Sequence, residues 1–234
     1  LVDWTSMEVL AAVGSSNFFD ESIQGQVNGT IARRSPGSTL KPFIYALAVD
    51  QGKIHSETML KDTPVSFKEY APDNYKGEYR GPLHAWDALV DSRNIPAVFL
   101  ATQISNPDLY DTLNRAGIHN LKNRDHYGLS IVLGSAEVTM FELVQLYGSL
   151  VHQGTIMPIA TIVDKNYSGN NSLNKVTLFS PASAWIAKKM LERNPPAIGV
   201  RPQTSKDTPV AWKTGTSIGF KDSWAIAIFD RYII

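Results

Sequence analysis

The chain has 234 residues, of which 43% are hydrophobic and 19% charged, so it can build a sizeable core and is not a disordered chain. Lysine plus arginine and aspartate plus glutamate number 22 each, so the net charge of zero gives no electrostatic reason to expect a nucleic acid partner. The chain has no cysteine and its five histidines are scattered, which excludes disulfide bonds and argues against a zinc site.

Both ends of the chain are typical of a piece of a longer protein. It begins on Leu1 rather than on methionine, and it stops on Tyr232-Ile233-Ile234 without a polar tail. No run of residues is apolar for long enough to cross a bilayer, and there is no signal peptide. We therefore expect residues 1–234 to be one domain of a larger protein.

The N-terminal half predicts a strand, a helix and a long loop. Residues 7–13 form a short apolar run bounded by a turn, which favours a strand. A Pro-Gly break precedes Ser38, and residues 39–49 then form an apolar helix in which Pro42 is tolerated because it lies in the first turn. Residues 62–83 are rich in proline, glycine, tyrosine and charge, and predict a long loop.

The rest of the chain predicts helices and then a hairpin. The helices cover residues 84–90, 95–104, 138–153 and 181–192. Two strand-like runs, 209–216 and 224–229, are joined by a turn over 217–222 and predict an antiparallel hairpin. Strands at both ends of a helical middle indicate an α+β domain whose antiparallel sheet combines N- and C-terminal segments.

Ser38 and Lys41 are the first residues that carry chemistry. A serine hydroxyl is a poor nucleophile until a base takes its proton. Three residues apart at a helix start, the two side chains share a face, and a partly buried lysine with a lowered pKa can accept that proton. The spacing arises by chance about once in such a chain, and it recurs at Ser172 and Lys175. Alone, it is better explained by a helix-capping serine and a solvated lysine.

Ser92 and Asn94 form a second pair, in a short polar crossing between two predicted helices. Such a crossing can expose a hydroxyl and an amide into a cleft. The same Ser-x-Asn pattern occurs elsewhere in segments that are better explained as turns, and helix capping would explain this pair if it stood alone.

The third element is Lys213-Thr214-Gly215-Thr216, on the predicted C-terminal strand. Composition alone would give this sequence in about one or two chains of this length in a hundred. Gly215 removes a side chain from the strand, which suits a place where a ligand backbone must lie close. Two threonine hydroxyls and an ammonium on one edge suit a carboxylate. The alternative is an exposed strand with a glycine that leaves a gap.

These three elements occur in the order found in penicillin-binding proteins and class A β-lactamases. The residues around them resemble class A penicillin-binding proteins more closely than the bare motifs do. The resemblance is carried by residues 34–45, 88–98, 133–139, 213–217, 219–220 and 222–225.

This resemblance implies a penicillin-binding/β-lactamase-like transpeptidase fold over residues 1–234. The implied activity is that of a serine D,D-transpeptidase, which cross-links the D-Ala-D-Ala stem peptides of peptidoglycan and is acylated by β-lactams, with no cofactor and no metal. The family's full-length members add a membrane anchor and a glycosyltransferase domain, and they work on the periplasmic face of the inner membrane.

The resemblance also implies a role for each residue of the three motifs. The implied roles are nucleophile for Ser38, base for Lys41, proton relay for Ser92, amide binding for Asn94, oxyanion binding for the backbone N–H groups of Ser38 and Thr216, carboxylate binding for Thr214 and Thr216 around Gly215, and positive charge for Lys213. Arg93 stands where class A β-lactamases carry aspartate, which is a departure from their pattern.

Two other interpretations remain open. A serine β-lactamase would share the nucleophile but must hydrolyse its acyl-enzyme quickly, and class A enzymes do so with a glutamate-bound water. No glutamate followed four residues later by asparagine lies between Ser92 and Lys213, which argues against that class. A non-catalytic β-lactam sensor would look the same at the site, although the intact motif residues argue against decay.

Overall fold

The computed structural model describes residues 1–67, 70–75, 77–161, 175–195 and 208–234. The helices within these ranges are α1 (Lys41–Asp50), α2 (Ala85–Val90), α3 (Asn94–Gln103), α4 (Leu109–Arg115), α5 (Arg124–Tyr127), α6 (Met140–Val151) and α7 (Pro181–Glu192). The predicted helices correspond to α1, α2, α3, α6 and α7, with ends that differ by at most two residues.

Helix α1 is the centre of the core. Its residues from Lys41 to Ala48 are all buried, and most of them are apolar on every side of the helix, the pattern of a fully enclosed helix. Pro42 lies in the first turn, where no intrahelical N–H bond is lost. Helices α2, α3, α4 and α7 pack around α1, and α7 also packs on the sheet.

The main sheet joins the two ends of the chain, as predicted. The strands of this sheet are β1 (Val2–Asp3), β2 (Glu8–Val9), β5 (Val210–Thr216), β6 (Ser223–Phe229) and β7 (Tyr232–Ile233). Their order is β2-β1-β7-β6-β5 and every pair is antiparallel. The predicted C-terminal hairpin is β5–β6, in which Lys213 lies opposite Ile226 and Thr216 opposite Ser223. Strand β5 is at one edge of the sheet.

The N-terminal strand is shorter than the sequence predicts. Of residues 7–13, only Glu8 and Val9 are in β2. Met7 has a φ of 58°, and the N–H groups of Leu10 and Ala11 both donate to the Leu1 carbonyl, so the chain leaves the ladder after two residues. The apolar run is therefore not a buried strand throughout, and Leu10 is half-exposed.

A small second sheet lies at the two ends of the predicted loop. It pairs β3 (Met59–Asp62) with β4 (Gly81–His84) in antiparallel register, with Asp62 opposite Gly81. The connection between them is the loop predicted over 62–83, which leads back to the start of α2. In the described part of the chain, no helix combines the length and the apolar character that crossing a membrane requires.

Candidate active site

Ser38 lies in the 3₁₀ turn Gly37–Leu40, directly before α1. The backbone N–H of Lys41 donates to the Ser38 carbonyl, and residues three apart in a 3₁₀ turn lie above one another. The two side chains therefore share a face, as their spacing predicts. Ser38 is half-buried, and its hydroxyl makes no hydrogen bond to any described residue. Such contacts commonly tighten only when substrate binds.

Three hydrogen bonds from other elements hold the chain around this 3₁₀ turn. The indole Nε1 of Trp224 on β6 donates to the Ser35 carbonyl (2.9 Å), and the Ser35 hydroxyl donates to the Gly134 carbonyl (2.7 Å). On the other side, the Tyr147 hydroxyl of α6 donates to the Thr39 carbonyl (2.9 Å). The sheet and α6 thereby fix the position of the Ser38 backbone.

Glycines allow the 3₁₀ turn to lie directly against β5. Gly37 has a φ of +52°, and a Cβ there would lie 2.5 Å from the carbonyl oxygen of Thr216 and 2.7 Å from its nitrogen. A Cβ on Gly134 would in turn lie 2.3 Å from the Gly37 nitrogen. The backbones of Ser38 and Thr216 are therefore neighbours, which is what a shared oxyanion-binding site requires.

At Gly215 another part of the same chain lies close to the strand, whereas the sequence suggests that a ligand would. A Cβ on Gly215 would lie 2.3 Å from the Pro36 carbonyl oxygen and 2.7 Å from the Thr39 methyl group. The space left by the missing side chain is therefore taken by the chain's own segment around Ser38 and not by a ligand. Any contact of Gly215 with substrate must go through its backbone.

Lys41 has no exposed surface, and its side chain hydrogen-bonds to residues of the crossing between α2 and α3. Its Nζ donates to the Ser92 carbonyl and to Asn94 Oδ1, both at 2.6 Å. Burial, and after it the charges of Lys213 and Arg93, hold the pKa of Lys41 well below its ordinary 10.5. A lysine with a lowered pKa can be neutral at physiological pH and accept a proton.

Lys213 reaches the same serine from β5. Its Nζ donates to Ser92 Oγ at 2.7 Å and to the Thr214 carbonyl at 2.9 Å. Burial lowers the pKa of Lys213 to about 7. The hydroxyl and the carbonyl of Ser92 are thus each held by a different buried lysine.

Ser92 and Asn94 lie in the predicted crossing between α2 and α3. Ser92 has a φ of +57°, which is uncommon for a residue other than glycine. The Asn94 side chain donates through Nδ2 to the Asp73 carbonyl (2.7 Å), in addition to accepting from Lys41. An amide nitrogen carries two N–H groups, so Asn94 keeps a second donor with which it can meet a ligand.

Thr214 and Thr216 project from the opposite face of β5 to Lys213. Side chains alternate along a strand, and the pattern here is Lys213 buried, Thr214 exposed, Gly215 buried and Thr216 exposed. Both threonine hydroxyls can therefore contact a ligand on the exposed face of β5, while the Lys213 side chain lies on the buried face. The sequence predicts that the ammonium and the two threonine hydroxyls share one edge of the strand. This prediction is wrong, because the Lys213 side chain and the two threonine side chains lie on opposite faces.

The structure thus brings all of the predicted site residues to one place. Ser172 of the second Ser-x-x-Lys pattern lies outside the described residues. Within the described ranges, no group of three or more histidine, aspartate or glutamate side chains is arranged to hold a metal ion.

Two site residues were not predicted. Asp62 and Asn74 lie behind Ser92 and Asn94 and are hydrogen-bonded to each other and to the residues around them. Neither falls in a motif. The available signal was the length of the loop over 62–83, because long loops in compact domains are usually functional.

Comparisons with known proteins identify the family to which the chain belongs. Residues 1–228 match the family described as the penicillin binding protein transpeptidase domain. Over 237 aligned residues, all of the chain is 34% identical to penicillin-binding protein 1C of Escherichia coli (strain K12). The chain spans 30% of the length of that relative.

Solved structures show the same fold. A peptidoglycan glycosyltransferase from Burkholderia ambifaria superposes with a TM-score of 0.75 at 21% identity, over 97% of this chain and 75% of the other. The PonA1 protein from Mycobacterium tuberculosis, in complex with penicillin V, superposes with a TM-score of 0.66 at 20% identity, over 88% of this chain and 60% of the other. The predicted α+β transpeptidase fold is confirmed, and the chain belongs to the family of penicillin-binding protein transpeptidase domains.

Proposed function

We propose that this chain is a serine D,D-transpeptidase domain that cross-links peptidoglycan stem peptides through an acyl-enzyme on Ser38, and that β-lactams acylate the same residue. The observation that carries the proposal is the convergence of two buried lysines on Ser92, beside the Ser38 turn. Burying two ammonium groups together is costly, and such an arrangement is typical of a site that needs lysines with lowered pKa values.

In the first step, the Ser38 hydroxyl oxygen attacks the carbonyl carbon of the peptide bond between the two D-alanines. Its proton passes to the neutral Nζ of Lys41, which lies one 3₁₀ turn away. The backbone N–H groups of Ser38 and Thr216 hold the oxyanion that forms. When the C–N bond breaks, the Ser92 hydroxyl gives its proton to the leaving amine and takes in turn the proton that Lys41 holds, so Lys41 is neutral again and an ester to Ser38 remains.

In the second step, the amine of another stem peptide attacks the ester. The new amide bond forms, the Ser38 oxygen leaves and the amine's proton returns to it through the same groups. Lys213 supports both steps by holding Ser92 Oγ at 2.7 Å. Each proton that is removed is given back, so the domain is unchanged after one cycle and needs no cofactor.

The edge of β5 is the place for the substrate. Thr214 and Thr216 present exposed hydroxyls on one face and suit the terminal carboxylate that D-Ala-D-Ala and β-lactams share. The second N–H of the Asn94 side chain suits the amide of the bound peptide. An extended peptide can lie along an edge strand with its backbone groups paired.

We further propose that residues 1–234 are the transpeptidase domain of a longer, membrane-anchored protein with a glycosyltransferase domain, which works on the periplasmic side of the inner membrane. The chain's coverage of 30% of its relative supports a longer protein. The similar Burkholderia protein is a peptidoglycan glycosyltransferase, which supports a glycosyltransferase domain in the parent protein. The penicillin V complex of the Mycobacterium protein supports β-lactam binding.

Transfer to an amine is the experiment that tests this function. A thioester or peptide donor is given to the chain with and without an added D-amino acid, and the products are separated. We expect the D-amino acid to appear in a new amide, and a penicilloyl adduct to persist for minutes to hours. Rapid turnover of penicillin without transfer would show a β-lactamase, and a stable adduct without transfer would favour a sensor.

A further inference from the structure

Asp62, at the end of β3, is a fully buried carboxylate close to the site. Among the described residues, the hydrogen bonds to its carboxylate come from the loop over 62–83 and from the crossing between α2 and α3. Its donors are Asn74 Nδ2 (2.7 Å), the backbone N–H of Arg80 (3.1 Å) and Arg93 Nε (2.7 Å), and Arg93 Nη2 lies in ion-pair contact at 2.7 Å. A buried carboxylate with this many donors is held in one position.

Arg93 connects Asp62 to the site. It is the residue between Ser92 and Asn94, and its guanidinium also donates to the Glu78 carbonyl. The pair with Asp62 is largely buried, because 13% of the Arg93 side chain is exposed and none of the Asp62 side chain. The backbone between Ser92 and Asn94 is therefore fixed through the side chain that separates them.

Asn74 makes the second connection. It is 4% exposed, it donates to Asp62, and its Oδ1 accepts from the backbone N–H of Asn94 (2.9 Å). Asn94 is the first residue of α3, and the preceding residue provides no side-chain cap for that helix. Asn74 therefore caps α3 from a distant part of the chain, which fixes where the Asn94 side chain starts.

The backbone of Ser92 needs such support. Its φ of +57° is sparsely populated for a residue with a Cβ and persists where the surroundings hold it. Its carbonyl accepts from Lys41 and its hydroxyl from Lys213. A change in the direction of either group would move a partner of one of the two lysines.

We propose that Asp62 and Asn74 are positioning residues of the transpeptidase, which through Arg93 and the N-terminus of α3 hold Ser92 and Asn94 in the geometry that Lys41 and Lys213 require. This inference rests on the proposed function. Neither residue touches the substrate, and both act through the second motif.

The charges of Asp62 and Arg93 also give a readout at Lys41 that helps to distinguish positioning from simple structural support. The groups that act on the pKa of Lys41 are its own burial, Lys213 on β5 and Arg93, which lower it, and Asp62, which raises it. Asp62→Asn leaves the Arg93 charge uncompensated, so it should lower the pKa further. Arg93→Gln should raise it. A residue that stabilised the fold away from Lys41 would not give shifts of opposite sign.

The test measures the rate of Ser38 acylation by a fluorescent penicillin between pH 5 and 10 in the full chain. We expect Asp62→Asn, Arg93→Gln and Asn74→Ala each to lower the plateau rate at least tenfold. The inflection should move to lower pH in Asp62→Asn and to higher pH in Arg93→Gln. In the double variant, the inflection should return towards that of the wild type while the plateau stays low.

Asp3→Asn is the matched control. Asp3 is also a buried aspartate paired with an arginine, Arg231, but it lies on β1, separated from β5 by two strands of the sheet. It should lower the melting temperature and leave the rate and the inflection unchanged. Wild-type rate and inflection in Asp62→Asn, or slower variants without opposite shifts, would overturn the positioning role.

A second readout separates this inference from the proposed function. A wild-type chain that penicillin does not acylate overturns the function, and the positioning role is then decided by the ¹³Cε resonance of Lys41 in lysine-labelled protein, assigned with Lys41→Arg. Opposite shifts of its titration in Asp62→Asn and Arg93→Gln support the role. An unchanged titration in both variants overturns the positioning role. This readout needs only Asp62→Asn and Arg93→Gln, so it also decides the case in which Asn74→Ala does not fold.

Discussion

The Nζ atoms of Lys41 and Lys213 both donate to Ser92, one to its carbonyl oxygen and the other to its hydroxyl. Burial lowers the pKa of both lysines. In the proposed mechanism the two lysines have different roles. Lys41 follows Ser38 by one turn and takes its proton, while Lys213 holds the Ser92 hydroxyl that gives a proton to the leaving amine.

The role of Lys41 predicts a pH profile. Protonated Lys41 cannot accept a proton, so the acylation rate should rise with pH through a group that titrates well below 10.5 and then level off. Lys41→Met, which keeps the side-chain volume, should lower the rate by about 10²–10⁴-fold or more while the protein stays folded. The measurement is stopped-flow acylation by a chromogenic β-lactam.

A matched control is Lys53→Met, because Lys53 is exposed on the turn after α1. It should acylate at the wild-type rate. Acylation of Lys41→Met at close to that rate would show that another group is the base.

Thr216 gives a prediction about the substrate's carboxylate. A charge-assisted hydrogen bond contributes about 1.5–3 kcal/mol, so Thr216→Val should slow acylation by about tenfold to a hundredfold. A β-lactam whose carboxylate is esterified should show no comparable loss. Lys213→Met should slow both compounds, because Lys213 acts through Ser92. Equal losses for both compounds in Thr216→Val would assign Thr216 to the oxyanion site or the fold.

The sequence predicts that the motif residues lie together, but it does not predict the residues that support them. Ser38 and Lys41 are three residues apart, so a single turn determines their relation. The pairing of Asp62 with Arg93 and of Asn74 with Asn94 depends on how a long loop folds back. No periodicity or spacing encodes such a contact, and it could not be read from the chain.

The packing of the 3₁₀ turn that contains Ser38 against β5 depends on glycine. Gly134→Ala would place a Cβ 2.3 Å from the Gly37 nitrogen, so the backbone would have to move. We expect a marked fall in melting temperature and at least a tenfold slower acylation, because Ser38 and Thr216 would separate. Thermal unfolding and acylation rate are measured on the same samples.

Gly117→Ala is the control for backbone conformation alone. Gly117 has a φ of +79°, similar to the +93° of Gly134, but a Cβ there would meet nothing within 4 Å. It should cost about 1–2 kcal/mol of stability and leave acylation unchanged. If Gly134→Ala behaves in the same way as Gly117→Ala, the close contact has no part in placing Ser38.

The helices were predicted more reliably than the strands, for a physical reason. Residues 181–192 and 39–49 carry apolar side chains through several turns, and a helix is determined by its own residues. The strands β3 and β4 have four residues each and are defined by their mutual pairing across the long loop. The short β2 likewise ends where turn bonds replace pairing with β1.

Across the whole molecule, the two buried lysines make stability depend on pH. The unfolded state binds protons at lysine up to about pH 10.5, whereas folded Lys213 releases its proton at about 7. Between these values the unfolded state binds more protons, so the free energy of unfolding should rise as pH rises. Above about pH 10 the opposite holds for Tyr45 and Tyr147, since burial raises their pKa values.

Urea unfolding at pH 7, 8 and 9 measures this effect. The wild-type chain should become more stable relative to Lys213→Met as pH rises through this range. Lys53→Met, which changes an exposed lysine, should follow the wild type. Parallel curves for the wild type and Lys213→Met would mean that Lys213 keeps its proton in the folded state.

At this largest scale, the sequence predicts a sheet that joins the two ends of the chain, and the structure confirms it. The order β2-β1-β7-β6-β5 places β5 at the edge of the described sheet, beside the 3₁₀ turn that contains Ser38. That edge position follows from strand pairing over more than 200 residues, which local patterns do not determine. Among the described strands β5 has one unpaired edge, and the proposed binding of a peptide beside Ser38 requires such an edge.

The central claim is that Ser38 forms the acyl-enzyme, and intact mass after incubation with a penicillin tests it most directly. We expect one penicilloyl group per chain, located by proteolysis and mass spectrometry on the peptide that contains Ser38, and absent from Ser38→Ala. An adduct on Ser92 or Ser172 instead, or a folded chain that takes up no penicillin, would contradict it.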